Sequence, residues 1–221
     1  NLGCIVWRFA VYHILEYSRE EIMNTPNKLT LLRILLVPFF VLFLLLPSIP
    51  HHYLLAGLVF GAAALTDHFD GSLARKHGQI TDFGKFADPL ADKILVASAF
   101  VCFVQLDLVG AVAVIIILFR EFLVTSIRLV ASGKGKVIAA NKWGKAKTIS
   151  QIVAILMILV LQYVDELVSL GIVPLAAEDA QVFSMAALII GQIATWICVL
   201  FTLISGAIYL WDNREFVKTA K

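Results

Sequence analysis

Charge is what this sequence has least of. Only 15% of its 221 residues are Asp, Glu, Lys or Arg, against about 25% in a soluble domain. With 60% hydrophobic residues and a mean hydropathy of +0.89, the composition excludes an ordinary soluble globule. Cysteine is scarce as well. Cys4, Cys102 and Cys198 stand far apart in apolar stretches, with no metal or redox spacing; plain buried thiols are expected. A nucleotide-binding P-loop is also missing, because Gly133-Lys134-Gly135-Lys136 lacks both the preceding strand and the spacing. No nucleic-acid partner is expected. Finally, the connections at 47–52, 106–110 and 165–182 hold no Lys or Arg; they carry Asp107, Asp165, Glu166, Glu178 and Asp179 instead.

What is present is apolar helix. Six spans are predicted, at 31–46, 53–76, 81–105, 108–131, 144–164 and 183–211, each near the roughly 17–25 residues that cross a bilayer. The first is short, so part of the preceding entry segment must join it; Thr25-Pro26 is a good helix start. Gly57 and Gly61 form a small-xxx-small packing face. The fold class is therefore all-α, a polytopic membrane protein with one domain over 23–221. The chain opens on Asn1 rather than Met. Residues 1–22 read as an N-terminal extension or non-native appendage, with Met23 the natural start, or as an interfacial helix. Lys and Arg gather on the other side of the spans, at Lys28, Arg33, Arg75, Lys85, the 134–147 stretch and Arg214. The positive-inside rule then turns both termini and that side to the cytoplasm.

The few acids are concentrated. Asp67, Asp70, Gly71 and Ala74 recur at i, i+3, i+4 and i+7, one face of a helix; Gly84, Asp88 and Asp92 recur at i, i+4 and i+8 on the next. An Asp at the bilayer centre costs about 2.5–3.5 kcal/mol, so acids at these positions must be hydrated, paired or neutralised by cations. Oxygen-only ligands suit Mg²⁺ or Mn²⁺, and two such ions can clamp phosphate oxygens. The plainer alternative is an ion-paired helix end using Arg75, Lys85 and Lys93. Pro89 either loosens the turn between Asp88 and Asp92 or is an ordinary early-helix proline.

The run Asp67-x2-Asp70-Gly71-x2-Ala74-Arg75-x8-Gly84-x3-Asp88-x3-Asp92 matches, without a departure, the signature of the CDP-alcohol phosphatidyltransferases. The resemblance covers Met23 to the sixth span. It implies a six-helix membrane fold, a homodimer and two divalent cations, Mg²⁺ or Mn²⁺. It also implies transfer of a phosphatidyl group from a CDP-linked lipid to an alcohol, with release of CMP. Asp67, Asp70 and Asp88 would be metal ligands. Asp92 would lie at the metals as the catalytic general base. Gly71, Ala74, Arg75 and Gly84 would shape the CDP-lipid site. The stretches 26–38, 83–96, 120–131 and 141–148 are similar to the bacterial inner-membrane branch whose substrates are CDP-diacylglycerol and glycerol 3-phosphate. Inositol phosphate or serine are the alternative acceptors.

An acceptor that carries a phosphate needs a second cationic pocket. Arg120, Arg128, Lys136, Lys142, Lys145 and Lys147 are the candidates, with Arg120 foremost because it interrupts an apolar span. Glu121, next to it, is expected to face elsewhere on the helix and to pair instead with Arg128, seven residues on. The lysines also serve as a positive-inside signal. His68 and His77 are assigned no metal, and Trp143, Trp196 and Trp211 read as packing or interfacial anchors. Two further functions fit the acids less well. A cation transporter would need a polar path continuing outward, which is missing; a binding-only relative would need a broken signature.

Overall fold

The computed structural model describes residues 25–77, 82–133 and 142–214, with side chains outside 25–30, 67–90 and 92. The described residues form six α-helices and no strand. They are α1 (Thr25–Leu45), α2 (His52–His77), α3 (Asp82–Gln105), α4 (Ala111–Gly133), α5 (Lys142–Ser169) and α6 (Ala177–Asp212). Residues 1–22, Cys4 and the 134–141 connection lie outside the described residues, and so does the reading of Met23 as a start. α1 starts at Thr25-Pro26 and absorbs the entry segment. α3 runs without interruption through Pro89, so Asp88 and Asp92 share a continuous helix.

Two helix ends are built alike. At the end of α3 the Leu108 amide donates to the Phe103 carbonyl at 2.9 Å, and the Asp107 amide to Val104 at 3.1 Å. Asp107 adopts φ 55°. This is the paired 6→1 and 5→2 pattern of a Schellman cap, closed by the buried Phe103 and Leu108. At the end of α5 the same bonds run from Ile172 to Leu167 and from Gly171 to Val168, with Gly171 at φ 72°. Here glycine supplies the left-handed turn without steric cost.

These caps correct two expected boundaries. The fourth helix begins at Ala111 rather than 108, because the Asp107 cap turns the chain first. The last connection is also shorter than 165–182. α5 continues to Ser169, and α6 begins at Ala177 with Glu178 and Asp179 in its first turn. Acids there are favoured by the helix macrodipole.

α5 and α6 are long and apolar enough to cross a membrane by length and composition. α4 carries Arg120, Glu121 and Arg128 along its length. Large hydrophobic side chains lie exposed along the helices, among them Leu58, Ile115, Phe119, Phe122, Leu129, Val153, Val160, Met185 and Leu200. Such a surface is untenable in water and ordinary in lipid.

The chain divides into two compact units. One comprises the described residues of Asn1–Phe39 with Val59–Leu95; the other comprises Phe40–Leu58 with the described residues of Val96–Lys221. The core of the first includes Val37, Phe60, Ala63, Ala91 and Leu95. In the second, α6 packs against both α4 and α5. Its buried stripe is Ala187, Gly191, Ala194, Thr195, Cys198, Val199, Thr202, Ser205, Gly206 and Tyr209, a helical repeat of mostly small residues. Gly191 packs closely there: an added Cβ would sit 3.3 Å from Ile158 Cγ1, and that side chain would have to give by a few tenths of an ångström. Gly57 and Gly61, expected from their spacing to form a packing face, meet no neighbour among the described residues: an added Cβ at either finds no described atom within 4 Å.

Candidate active site

The signature residues occupy two consecutive helices of one compact unit. Asp67, Asp70, Gly71, Ala74 and Arg75 lie on α2; Gly84, Asp88 and Asp92 lie on α3. The helical placement on which their spacing depends is therefore present in the backbone: the first acid pair stands at i and i+3, the second at i and i+4. Their side chains lie outside the described residues. Among the described residues there is no group of three or more His, Cys, Asp or Glu able to hold a metal.

The other unit contains a polar cluster where α4, α5 and α6 meet. Arg120 Nη1 donates to Glu121 Oε1 at 3.1 Å, and Arg120 Nη2 to Ser205 Oγ at 2.6 Å. Lys147 Nζ donates to that same Glu121 oxygen. Lys147 is 4% exposed as a residue, and the Arg120 side chain 11%. Gly206 lies beneath the arginine, where an added Cβ would come within 3.1 Å of Arg120 Cγ. Two cations from two helices thus converge on one carboxylate oxygen. Each would be expensive to bury alone.

Around this cluster several buried polar atoms have no hydrogen-bond partner among the described residues: Arg120 Nε, Gln151 Nε2, Thr202 Oγ1 and Tyr209 Oη. Gln151 lies one turn along α5 from Lys147, and Thr202 one turn along α6 from Ser205. Cys198 Sγ contacts the Ser150 carbonyl at 3.2 Å. It is a free, buried thiol, as is Cys102.

The pairing expected from the sequence is corrected here. Glu121 bonds its neighbour Arg120 and also Lys147, while Arg128 places its guanidinium 5.6 Å from the Tyr209 ring centroid. Adjacent helical residues point about 100° apart, but the long arginine stem wraps that angle, whereas a shared face does not ensure contact. Lys142 and Lys145 are exposed on the first turn of α5; Lys136 lies outside the described residues. Trp143, Trp196 and Trp211 are exposed, and Arg214 stacks over Trp211 at 5.2 Å.

The sequence reading passed over Ser205 and Gly206. Their one signal was three consecutive small residues, Ser205-Gly206-Ala207, in an otherwise bulky apolar run, LISGAIYL.

A helical chain with this acid pattern on α2 and α3 defines a class, and comparison with known proteins gives the same one. The sequence model of the CDP-alcohol phosphatidyltransferases matches residues 23–204, and the chain belongs to that family. Over 208 residues it is 42% identical to the CDP-diacylglycerol–glycerol-3-phosphate 3-phosphatidyltransferase of Bacillus subtilis, covering 89% of this chain and 98% of the relative. A Rickettsia felis protein of the same name is 32% identical over 194 residues, 87% of this chain and 97% of that one. One from Pseudomonas fluorescens is 40% identical over 146 residues, 62% of this chain and 72% of that one.

Proposed function

We propose that this protein transfers the phosphatidyl group of CDP-diacylglycerol to sn-glycerol 3-phosphate, forming phosphatidylglycerophosphate and releasing CMP. One observation carries the reading: the complete Asp67–Asp92 signature lies on two consecutive helices of a chain matched along nearly its whole length by relatives of that name.

The four acids of the signature offer carboxylate oxygens, which fit hard divalent cations. Asp67, Asp70 and Asp88, with Asp92 beside them, would hold two such ions, Mg²⁺ or Mn²⁺. When bound, these supply positive charge to the phosphate oxygens of the donor. Asp92 takes the proton from the attacking hydroxyl of the acceptor. That oxygen forms a bond to the β-phosphorus, and the bond from this phosphorus to the CMP oxygen breaks. Arg75 offsets the charge that develops on departing CMP. Gly71, Ala74 and Gly84 carry no bulky side chain and leave the backbone open to the cytidine diphosphate.

The acceptor brings its own phosphate, and the phosphate-binding set proposed for it is Arg120, Arg128, Lys136, Lys142, Lys145 and Lys147. All six helices cross the bacterial inner membrane, with both termini and the acids on the cytoplasmic side and a homodimer as the working form. The lack of Lys and Arg at 47–52 and 106–110 supports that orientation.

The test is CMP release by the purified protein in detergent–lipid micelles with CDP-diacylglycerol and Mg²⁺. Glycerol 3-phosphate should support release. No release with any alcohol would overturn the reaction class, and release with serine or inositol phosphate alone would overturn the acceptor. Asp92→Asn should lower turnover by about two to four orders of magnitude, the size of a general-base contribution.

A further inference from the structure

Glu121 is a carboxylate inside a pocket proposed to bind an anion. Placed there without purpose, it would repel the phosphate. Its geometry suggests what it does. A single oxygen, Oε1, receives both Arg120 Nη1 and Lys147 Nζ. The two cationic heads are therefore held within about two hydrogen-bond lengths of each other, against their mutual repulsion. Ser205 fixes the second Arg120 nitrogen at 2.6 Å, and Gly206 lets the arginine stem lie against α6. Arg120 Nε, Gln151 Nε2 and Thr202 Oγ1 meanwhile remain buried without partners among the described residues. Buried polar atoms without partners are costly, and a polar guest would satisfy them.

We infer that Glu121 is a positioning residue: it gathers Arg120 from α4 and Lys147 from α5 into a two-cation clamp for the phosphate of the acceptor. This rests on the phosphate-binding reading above and names how that pocket is organised. Glu121 itself does not touch the substrate. Two cationic heads gathered at one carboxylate oxygen are close enough for a single tetrahedral phosphate dianion to accept from both. Without Glu121 the two heads move apart, and the clamp loses its aim while the chemistry at the signature acids remains.

Glu121→Gln keeps the size and removes the charge. With both substrates varied, its KM for glycerol 3-phosphate should rise about tenfold or more, the worth of a charge-assisted hydrogen bond. The KM for CDP-diacylglycerol and the kcat at saturation should stay within about threefold. In an Arg120→Gln background the same change should add little, because Glu121 acts through Arg120. Ser205→Ala and Gly206→Ala loosen or displace the arginine without touching a charge, and should show the same split. They carry the test if Glu121→Gln does not fold. An unchanged acceptor KM in these variants would overturn the inference. So would a parallel loss in kcat and both KM values with a lowered thermal midpoint, which marks a merely structural role.

A second readout does not depend on turnover. Inorganic phosphate at millimolar concentration should raise the thermal midpoint of the wild type and leave that of Glu121→Gln unmoved. If the wild type released no CMP, the proposed reaction would fail while the phosphate shift still tested the clamp. No phosphate shift in the wild type, or an equal shift in the variant, would overturn the clamp.

Discussion

Glu166 shows how much one side chain can do at a helix end. Its two carboxylate oxygens accept the backbone amides of His52 and Tyr53 at 3.1 and 3.4 Å, so the end of α5 caps the start of α2. His51, just before, is held at φ 59°, and its ring nitrogen lies 3.4 Å from the Tyr163 hydroxyl. A carboxylate on the first amides satisfies orphan donors and favours the positive helix end. Glu166→Ala should therefore cost about 1 kcal/mol of stability, the usual worth of an N-cap. Thermal or chemical unfolding in micelles should register the loss, with both KM values unmoved. A shift in either KM would give Glu166 a role beyond capping. Neither this cap nor the Glu121–Lys147 pair was legible in the sequence. Their partners stand 114 and 26 residues apart, and helical periodicity relates only residues on one helix. The helical register of the signature acids was legible for the opposite reason, since their pattern repeats within single helices at three and four residues.

At the scale of elements, the packing of α6 decides which glycines matter. Gly191 faces Ile158 on α5, and Gly57 faces no described atom. Gly191→Val should overpack that contact and destabilise the protein by about 1–3 kcal/mol. Gly57→Ala should be neutral or stabilising by up to about 1 kcal/mol, the helix-propensity difference between the two residues. Parallel unfolding measurements on the two variants check the contrast, and equal effects would contradict the packing described for α6. Sequence spacing alone pointed to Gly57 and Gly61, because small residues four apart mark a possible face without saying whether a neighbour comes to it. Element existence was readable throughout, from apolar runs bounded by turn residues. The errors lay at the ends, where Asp107 and Gly171 take left-handed conformations and Glu178 and Asp179 join a helix rather than a loop. Those choices are made by a few backbone hydrogen bonds, which hydropathy does not record.

At the scale of the molecule, the exposed apolar surface sets the environment. The turns at 46–51, 106–110 and 170–176 contain no Lys or Arg. In a background lacking native cysteines, Ser48→Cys should react with a membrane-impermeant thiol reagent on intact cells, and Ser132→Cys only after permeabilisation. The opposite labelling would reverse the proposed orientation.

The most direct measurement is the identity of the product. Purified protein would receive CDP-diacylglycerol, Mg²⁺ and isotopically labelled glycerol 3-phosphate, and the lipid fraction would be read by mass spectrometry. Phosphatidylglycerophosphate carrying the label, formed together with CMP and lost in Asp92→Asn, is the predicted result. CMP formed without a labelled lipid, or no CMP from a folded protein, would contradict phosphatidyl transfer to glycerol 3-phosphate.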